Sequence, residues 1–515
     1  MHAHKILSHE VSLLLFAALS VLCAPATTSP HLAVIVIFDQ MRATDLDRLQ
    51  PLFGAGGFGG FTQGASYDAF YDYASTETGP GHATMATCAN PNVHGVVANR
   101  WYDEGHWDRP MEASNPEALH VGTLGDAWRG ESSGASKVVT ISAKDRAAML
   151  SAGHSANAAI WFDPKQKRYV AASGKLPVWA EPLAVPVALT HSVPWTPLAT
   201  PPTLAGLIPA DANPHEGGFL GLSDRFPHDL ATMSEADRAE GYRGSPESVH
   251  DLFALALAAV EGEKLGKGPH PDLLIVSISA TDYVQHTFGP TSAEAADMLR
   301  RADRELRAFR ATLAQKVGPV VMAVAADHGG SPIPENITAL GIPAGRIEIK
   351  PLLDHLRTEI GKVAPNVKVL GLTPPHLNLL IDASADRAKV LATARAVLLA
   401  TPGIAAVYDP AAPPTNDPFD TFYRHSMFPG RSGALLVRQA PHFMFAGDAS
   451  ARGSDHGSPY TYDRRVRFII DGPGVRPGHY AAPVDVRDIS PTVAFLLRAP
   501  LPDACQGHPV SAVGP

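Results

Sequence analysis

Three aspartates stand directly behind apolar runs: Asp39 behind Ala33 to Phe38, Asp282 behind Leu273 to Ser279, and Asp327 behind Val320 to Ala325. Runs that are apolar at successive positions read as strands buried on both faces of a parallel sheet. Open α/β sheets bind ligands just beyond such strand ends. Each aspartate alone is an ordinary helix cap. Three carboxylates from three strands meeting at one sheet edge would repel one another unless a cation neutralised them, so the set predicts metal. Histidines extend it. Asp282 and His286 stand four apart, on one face of a helix. Asp327 and His328 are adjacent where the chain turns through Gly329-Gly330, and His456 lies in the turn Ser454-Asp455-His456-Gly457-Ser458-Pro459 ahead of the strand-like Val466 to Ile470. A lone histidine in such a turn is more often structural; the company of the others makes His456 a candidate. Asp and His ligands without cysteine suit zinc, although manganese or iron accept the same atoms. Six ligands suffice for two ions, and paired metals roughly 4 Å apart stabilise the entering and leaving oxygens of a displacement at phosphorus.

A nucleophile for that chemistry is Thr78, in Thr76-Glu77-Thr78-Gly79-Pro80-Gly81-His82-Ala83-Thr84. Helix-forming residues follow, so Thr78 is expected at a helix N-terminus, where free N–H groups and the helix dipole favour an anion. Pro80 fits that start. A threonine hydroxyl is a poor nucleophile at its free pKa, and metal coordination is one way to activate it. Lys144 and Arg146, behind the strand-like Val138 to Ser142, are read as neighbours on one side of an extended segment.

The elements that must hold these groups alternate between strand and helix. Glu247 to Leu265 and Ala293 to Gln315 have apolar residues at helical spacing, which with the buried runs argues an α/β layered fold. A segment rich in Pro and Gly, about 161–242, reads as an insertion of hairpins and loops. A second, about 350–410, reads as a small α/β subdomain with a strand-like Leu377 to Ile381 and a helical Arg387 to Leu399. The remaining positions are open to a single catalytic domain over 27–515. Residues 1–26 read as a cleaved signal peptide: Lys5, an apolar Val11 to Cys23, then Ala24-Pro25-Ala26. That run is shorter than the roughly 20 residues of a bilayer span, so an exported protein with no stable membrane span after cleavage is expected.

The chain has 515 residues, 45% of them hydrophobic, and a formal net charge of -9. With no long basic run, the charge excludes an electrostatic nucleic-acid footprint. Cys88 and Cys505 are the cysteines left after the leader, which excludes a disulfide scaffold and leaves their pairing open. Scattered Asp and Glu in loops leave structural calcium open, without an EF-hand pattern.

Phe38-Asp39-Gln40-Met41-Arg42, Thr78-Gly79-Pro80-Gly81-His82, Lys144-Asp145-Arg146, Asp282-Tyr283-Val284-Gln285-His286, Asp327-His328-Gly329 and His456-Gly457-Ser458-Pro459 occur together in that order. They resemble the single-chain bacterial alkaline phosphatases with a threonine nucleophile, the PafA type, from about Ala33 to the C-terminus. The resemblance implies an α/β three-layer sandwich with a largely parallel central sheet, helices on its faces and inserted cap segments. It implies that Asp282, His286 and His456 hold one zinc and that Asp39, Asp327 and His328 hold the other, with Thr78 beside it. It implies phosphate contacts from Asn99, Lys144 and Arg146, small-molecule phosphate monoesters as substrates, a covalent phosphothreonine, and a bacterial periplasmic or secreted location. Related nucleotide pyrophosphatases and phosphodiesterases lack the Lys and Arg pair, and sulfatase-like relatives need a C/S-x-P-x-R motif that Cys88-Ala89-Asn90-Pro91 does not match. A phosphodiesterase and a secreted, non-catalytic metal-binding relative are the alternatives. Cys88 stands where the family commonly has Gly, and Gln285 where it has a small residue. Natural substrate and oligomeric state stay open.

Overall fold

The run Leu32–Phe38 forms the central strand β1, with all seven residues buried, as expected of a strand covered on both faces. The computed structural model describes residues 30–59, 64–217, 220–448 and 450–513; the signal peptide expected over 1–26 lies outside them. Eight further strands join β1 in one sheet: β2 (Ala65–Phe70), β3 (Val138–Ser142), β4 (Ala158–Asp163), β5 (Arg168–Ala171), β6 (Asp272–Ile278), β7 (Val321–Ala325), β8 (Arg465–Asp471) and β9 (Gly478–Asp485). Their spatial order is β9-β2-β8-β7-β1-β6-β3-β4-β5. The middle five, β7-β1-β6-β3-β4, are parallel. β8 runs against both its neighbours, and β5 closes the other edge as a hairpin with β4. The four runs read as strands from their unbroken apolar character thus lie side by side at the centre, each within a residue of its expected limits.

Helices flank this sheet in an α/β layered arrangement. The helices bearing on the site are α1 (Thr78–Thr87), α2 (Asp145–Ala152), α3 (Pro246–Gly262), α4 (Ala280–Phe288), α5 (Ala293–Lys316) and α6 (Ile489–Leu497). Ile35 and Ile37 of β1 face His82 and Met85 of α1 and Ser490 of α6. Burying such aliphatic side chains contributes about 1.5–3 kcal/mol each, so the strand ends are anchored by a dry core. Among the described residues no helix is long and apolar enough to cross a membrane.

Trp161 and Phe162 belong to β4 and hence to the central sheet, because the apolar run from Ala158 is a core strand before the chain leaves for short 3-10 turns and loops up to a helix at Glu235–Arg243. A separate four-stranded antiparallel sheet, ordered Lys368–Thr373, His376–Leu380, Leu435–Gln439, Ile404–Tyr408, carries helices Ile349–Val363 and Arg387–Ala400 over its own apolar core. It draws in Leu435–Gln439 from beyond the 350–410 segment. Cys88 and Cys505 form a disulfide, with Cα atoms 4.7 Å apart. Cys88 caps α1 at φ 48°, the left-handed region, which accounts physically for a position where glycine would be favoured.

Candidate active site

Thr78 is the first residue of α1 and is buried, with Glu77 in extended conformation as the cap. The helix end approaches β7 closely: a Cβ at Gly81 would collide with the backbone oxygen of Asp327. This is the physical need for Gly in that motif. Lys144, in extended conformation, caps α2 at the end of β3. Its Nζ lies 3.3 Å from Thr78 Oγ1, 2.6 Å from Asp282 Oδ2 and 3.2 Å from Asp39 Oδ2. One buried ammonium therefore meets the candidate nucleophile and carboxylates from two strand ends. Asp39 also accepts a hydrogen bond from Ser277 Oγ at 2.9 Å, and Asp327 Oδ1 accepts one from the Gln40 N–H at 3.0 Å.

Asp282 and His286 lie one turn apart on α4, with His286 Nε2 3.4 Å from Asp282 Oδ1. His328 and His456 bring their Nε2 atoms to 3.9 and 3.7 Å from the same oxygen. The rings of His328 and His456 stack with centroids 3.7 Å apart. Each of these histidines sets its Nδ1 against a backbone carbonyl: His286 against Ser454, His328 against Gly329 and His456 against Thr76, at 2.9, 2.8 and 2.8 Å. A carbonyl only accepts, so Nδ1 carries the hydrogen, and in a neutral ring Nε2 presents a lone pair to Asp282. That is the orientation of metal-ligating imidazoles. Burial pushes His328 down to about 4 and His456 well below the ordinary imidazole value. Burial opposes charge on His286 too, but Asp282 overrides it and raises His286 to about 9. Burial likewise works against a charged Asp282, and Lys144 and His286 hold it well below the usual carboxylate range all the same. Asp327 goes the other way, to about 7, through burial and the neighbouring Asp39.

The structure places His82, which has no expected role from its motif, inside this cluster. It is fully buried, 3.7 Å from Asp39 Oδ1 and 3.4 Å from Asp327 Oδ2, with Nδ1 3.0 Å from the Thr78 carbonyl. Its spacing of four from Thr78 was the available signal, since i and i+4 share a helix face. Asp39, His82 and Asp327 form one set able to hold a cation; Asp282, His328 and His456 form a second, and His286, Asp455 and His456 a third. His328 stands between the aspartate sets, 3.4 Å from Asp327 Oδ2. Asp39 Oδ2, Asp282 Oδ1, Asp327 Oδ2, His82 Nε2 and His328 Nε2 are all buried without a hydrogen-bond partner. Buried acceptors facing one another are costly unless a cation sits among them, so the donor set fits divalent metal.

The phosphate-contact candidates are only partly gathered. Asn99 Oδ1 accepts from the Gly79 N–H at 2.7 Å, and its own N–H donates to Glu77 at 2.5 Å. Burial raises Glu77 to about 7 against the pull of that N–H. Arg146 is not on an extended segment with Lys144: α2 begins at Asp145, so Arg146 lies in the first turn of that helix. Its Nε is buried without a hydrogen-bond partner, and its charge is felt by Glu77 and by Arg243. Arg243 in turn lies over the Tyr283 ring at 4.4 Å, with Lys144 Nζ 5.1 Å from the same ring.

Residues 33–459 match the type I phosphodiesterase / nucleotide pyrophosphatase family. The chain belongs to that family, within the alkaline phosphatase superfamily. Alkaline phosphatase PhoK of Sphingomonas sp is 31% identical over 93% of this chain and 90% of its own. Alkaline phosphatase PafA of Elizabethkingia meningoseptica is 27% identical over 95% of each, and a crystal structure of wild-type PafA superposes with a TM-score of 0.84 at 26% identity, covering 95% of this chain and 99% of that one. A phosphonoacetate hydrolase of Sinorhizobium meliloti shares the fold, with a TM-score of 0.55 at 18% identity.

Proposed function

We propose that this enzyme is an exported alkaline phosphatase that hydrolyses phosphate monoesters through a covalent phosphothreonine at Thr78. The observation that carries the reading is the position of Lys144 Nζ, within 3.3 Å of Thr78 Oγ1 and in contact with both Asp39 and Asp282. A reacting phosphoryl group beside Thr78 would meet that ammonium and the α1 N-terminus together. Its similarity to PhoK and PafA along nearly the whole chain supports phosphoric monoester hydrolysis. The disulfide between Cys88 and Cys505 supports an oxidising compartment.

Asp282, His286 and His456 would hold one zinc, and Asp39, Asp327, His328 and Thr78 the other. Bound there, the two cations would supply Lewis-acid stabilisation to the entering and departing oxygens. The chain's own groups do the rest. The Lys144 ammonium, beside the positive end of the α1 dipole, faces the nonbridging oxygens, where charge-assisted donors act most strongly. Asn99, fixed by the Gly79 N–H, keeps its amide at the same helix end. Arg146 reaches the dianion once substrate gives its guanidinium a partner. Thr78 Oγ forms the new P–O bond as the ester P–O bond breaks, and the alkoxide leaves with the proton that threonine gives up. Water then adds to phosphorus as the Thr78 Oγ–P bond breaks, one proton of that water passes to Thr78 Oγ, and inorganic phosphate departs.

The test is trapping at Thr78. Wild type quenched in acid during turnover should carry phosphate on the peptide containing Thr78. Thr78→Ala should carry none and lose at least about a thousandfold in kcat, while keeping its zinc. Retained turnover in Thr78→Ala, or a preference for bis-p-nitrophenyl phosphate over the monoester, would transfer the assignment to a diesterase.

A further inference from the structure

Outside the active site, Asp211, Glu216 and Glu294 bring carboxylate oxygens within 4.8 Å of one another. Glu294 is fully buried at the start of α5, and Glu216 is 8% exposed. Glu294 Oε2, Glu216 Oε2 and Asp211 Oδ1 have no hydrogen-bond partner, whereas Asp211 Oδ2 accepts from the Phe226 N–H at 2.9 Å. His228 Nε2 approaches Glu294 Oε1 at 3.3 Å. Its Nδ1 is engaged 3.0 Å from Ser223 Oγ. Three carboxylates and one imidazole leave an excess of negative charge in a place with little water to screen it. Burial, then Glu294 and Asp211, push Glu216 up to about 8.

We propose that Asp211, Glu216 and Glu294 form a calcium site that fastens residues 211–217 to α5 and, through them, braces α4, the helix carrying Asp282 and His286. An all-oxygen donor set of carboxylates is the chemistry of a hard cation, and two of them on an irregular loop suit calcium's larger, more flexible shell better than magnesium's strict octahedron. Its position gives it work. The Gly217 N–H donates to the Thr287 carbonyl at the end of α4, and the His215 carbonyl accepts from the Gly453 N–H. Gly453 has a positive φ, and a Cβ there would collide with the His286 backbone oxygen. The next residue, Ser454, donates its N–H to that same oxygen, and its own carbonyl holds the His286 ring. Fastening residues 211–217 therefore supports the loop that delivers His456 and orients His286.

The site comes with a reporter. Trp195 is buried, with its ring centroid 5.1 Å from that of His228, so terbium bound at the carboxylates should luminesce on tryptophan excitation. In the zinc-loaded protein we expect saturable Tb3+ luminescence that Ca2+ displaces at concentrations at least about tenfold lower than Mg2+. Ca2+ should also raise the Tm by a few degrees. Glu216→Gln/Glu294→Gln should abolish both responses, raise the Tm without calcium by removing like charges, and leave the zinc content unchanged. Asp211→Asn, at a less buried position, gives the same comparison if the double variant does not fold. Responses that persist in these variants, a wild type indifferent to Ca2+, or displacement by Mn2+ or Zn2+ in preference to Ca2+ would each overturn the assignment. Neither readout uses turnover, so failure here leaves the phosphatase reading untouched, and failure at Thr78 leaves this one.

Discussion

Replacing Lys144 with methionine keeps the buried stem and removes the charge. The ammonium lies 2.6 Å from Asp282 and 3.2 Å from Asp39. At an effective dielectric of ~20 those separations correspond to attractions of about 6 and about 5 kcal/mol. Desolvation of the ions, several kcal/mol each, offsets most of that, and breaking a buried pair by removing one partner costs about 3–5 kcal/mol net. Lys144→Met should therefore lower the unfolding free energy of the EDTA-treated protein by about 3–5 kcal/mol, read from urea melts. Zinc should erase that difference, because the cations supply the charge that lysine supplied. By linkage the variant then binds zinc more tightly, by about two orders of magnitude for 3 kcal/mol, measured by competition with a chromophoric chelator. Monoester kcat/KM should nevertheless fall about 10²- to 10³-fold, as for loss of one donor to a transferring group. Tighter zinc with slower turnover is a combination that a merely structural lysine would not produce. Equal stability of the two metal-free proteins, or weaker zinc binding by the variant, refutes the reasoning.

Gly81→Ala would drive a Cβ into the Asp327 backbone oxygen; a displacement of the ligand by an ångström should cost about 100-fold in kcat/KM, and unchanged kinetics would show that α1 and β7 can separate freely. Cys505→Ser should lower stability by about 2–4 kcal/mol in urea melts while sparing kcat, since the disulfide joins α1 at the end opposite Thr78. Burial, with Arg431, pushes His94 down to about 3, and burial pushes His376 down to about 4. The folded-state values lie below the unfolded one, so the unfolded chain binds more protons: stability is full above about pH 6.5, falls as pH drops below that, and levels off near 4 for His376 and near 3 for His94, a loss of about 3–5 kcal/mol per group. His376→Gln should flatten urea midpoints measured between pH 7 and pH 4, and an unaltered slope would remove His376 from the account.

Much of the fold was legible because its centre is so apolar. β1, β3, β6 and β7 are buried at every position, and such runs leave little choice but a covered parallel sheet. Asp39 and Asp327 stood out for the same reason: each follows such a run, and although one aspartate there is an ordinary cap, several at one sheet edge call for a cation. The extended segment expected for Lys144 and Arg146 is not found, because nothing in Lys144-Asp145-Arg146 reveals that the helix starts between the two basic residues. Trp161 and Phe162 read as part of the insertion because a six-residue strand that is one arm of a hairpin shows no sign of the central sheet until its parallel partner β3 is known. The departure at Cys88 was noticed, but its left-handed conformation and its partner 417 positions away are tertiary facts.

The histidines show most plainly where local reading ends. A loop histidine such as His456 has no sequence feature that fixes its aim; what does so is the Thr76 carbonyl, 380 residues away, which takes the hydrogen of Nδ1 and leaves Nε2 to face Asp282. Ser454 does the same for His286 from across the chain, and Gly329 does it locally for His328. Ring orientation at this site is therefore set by backbone carbonyls rather than by side-chain partners. Substitutions among the surrounding side chains, Gln285 included, can change packing while the lone pairs keep their aim. Gln285 is itself buried, and its amide donates to the Gln40 carbonyl next to Asp39. It joins α4 to the end of β1, so the larger residue adds a tether between the strand end that presents Asp39 and the helix that presents Asp282.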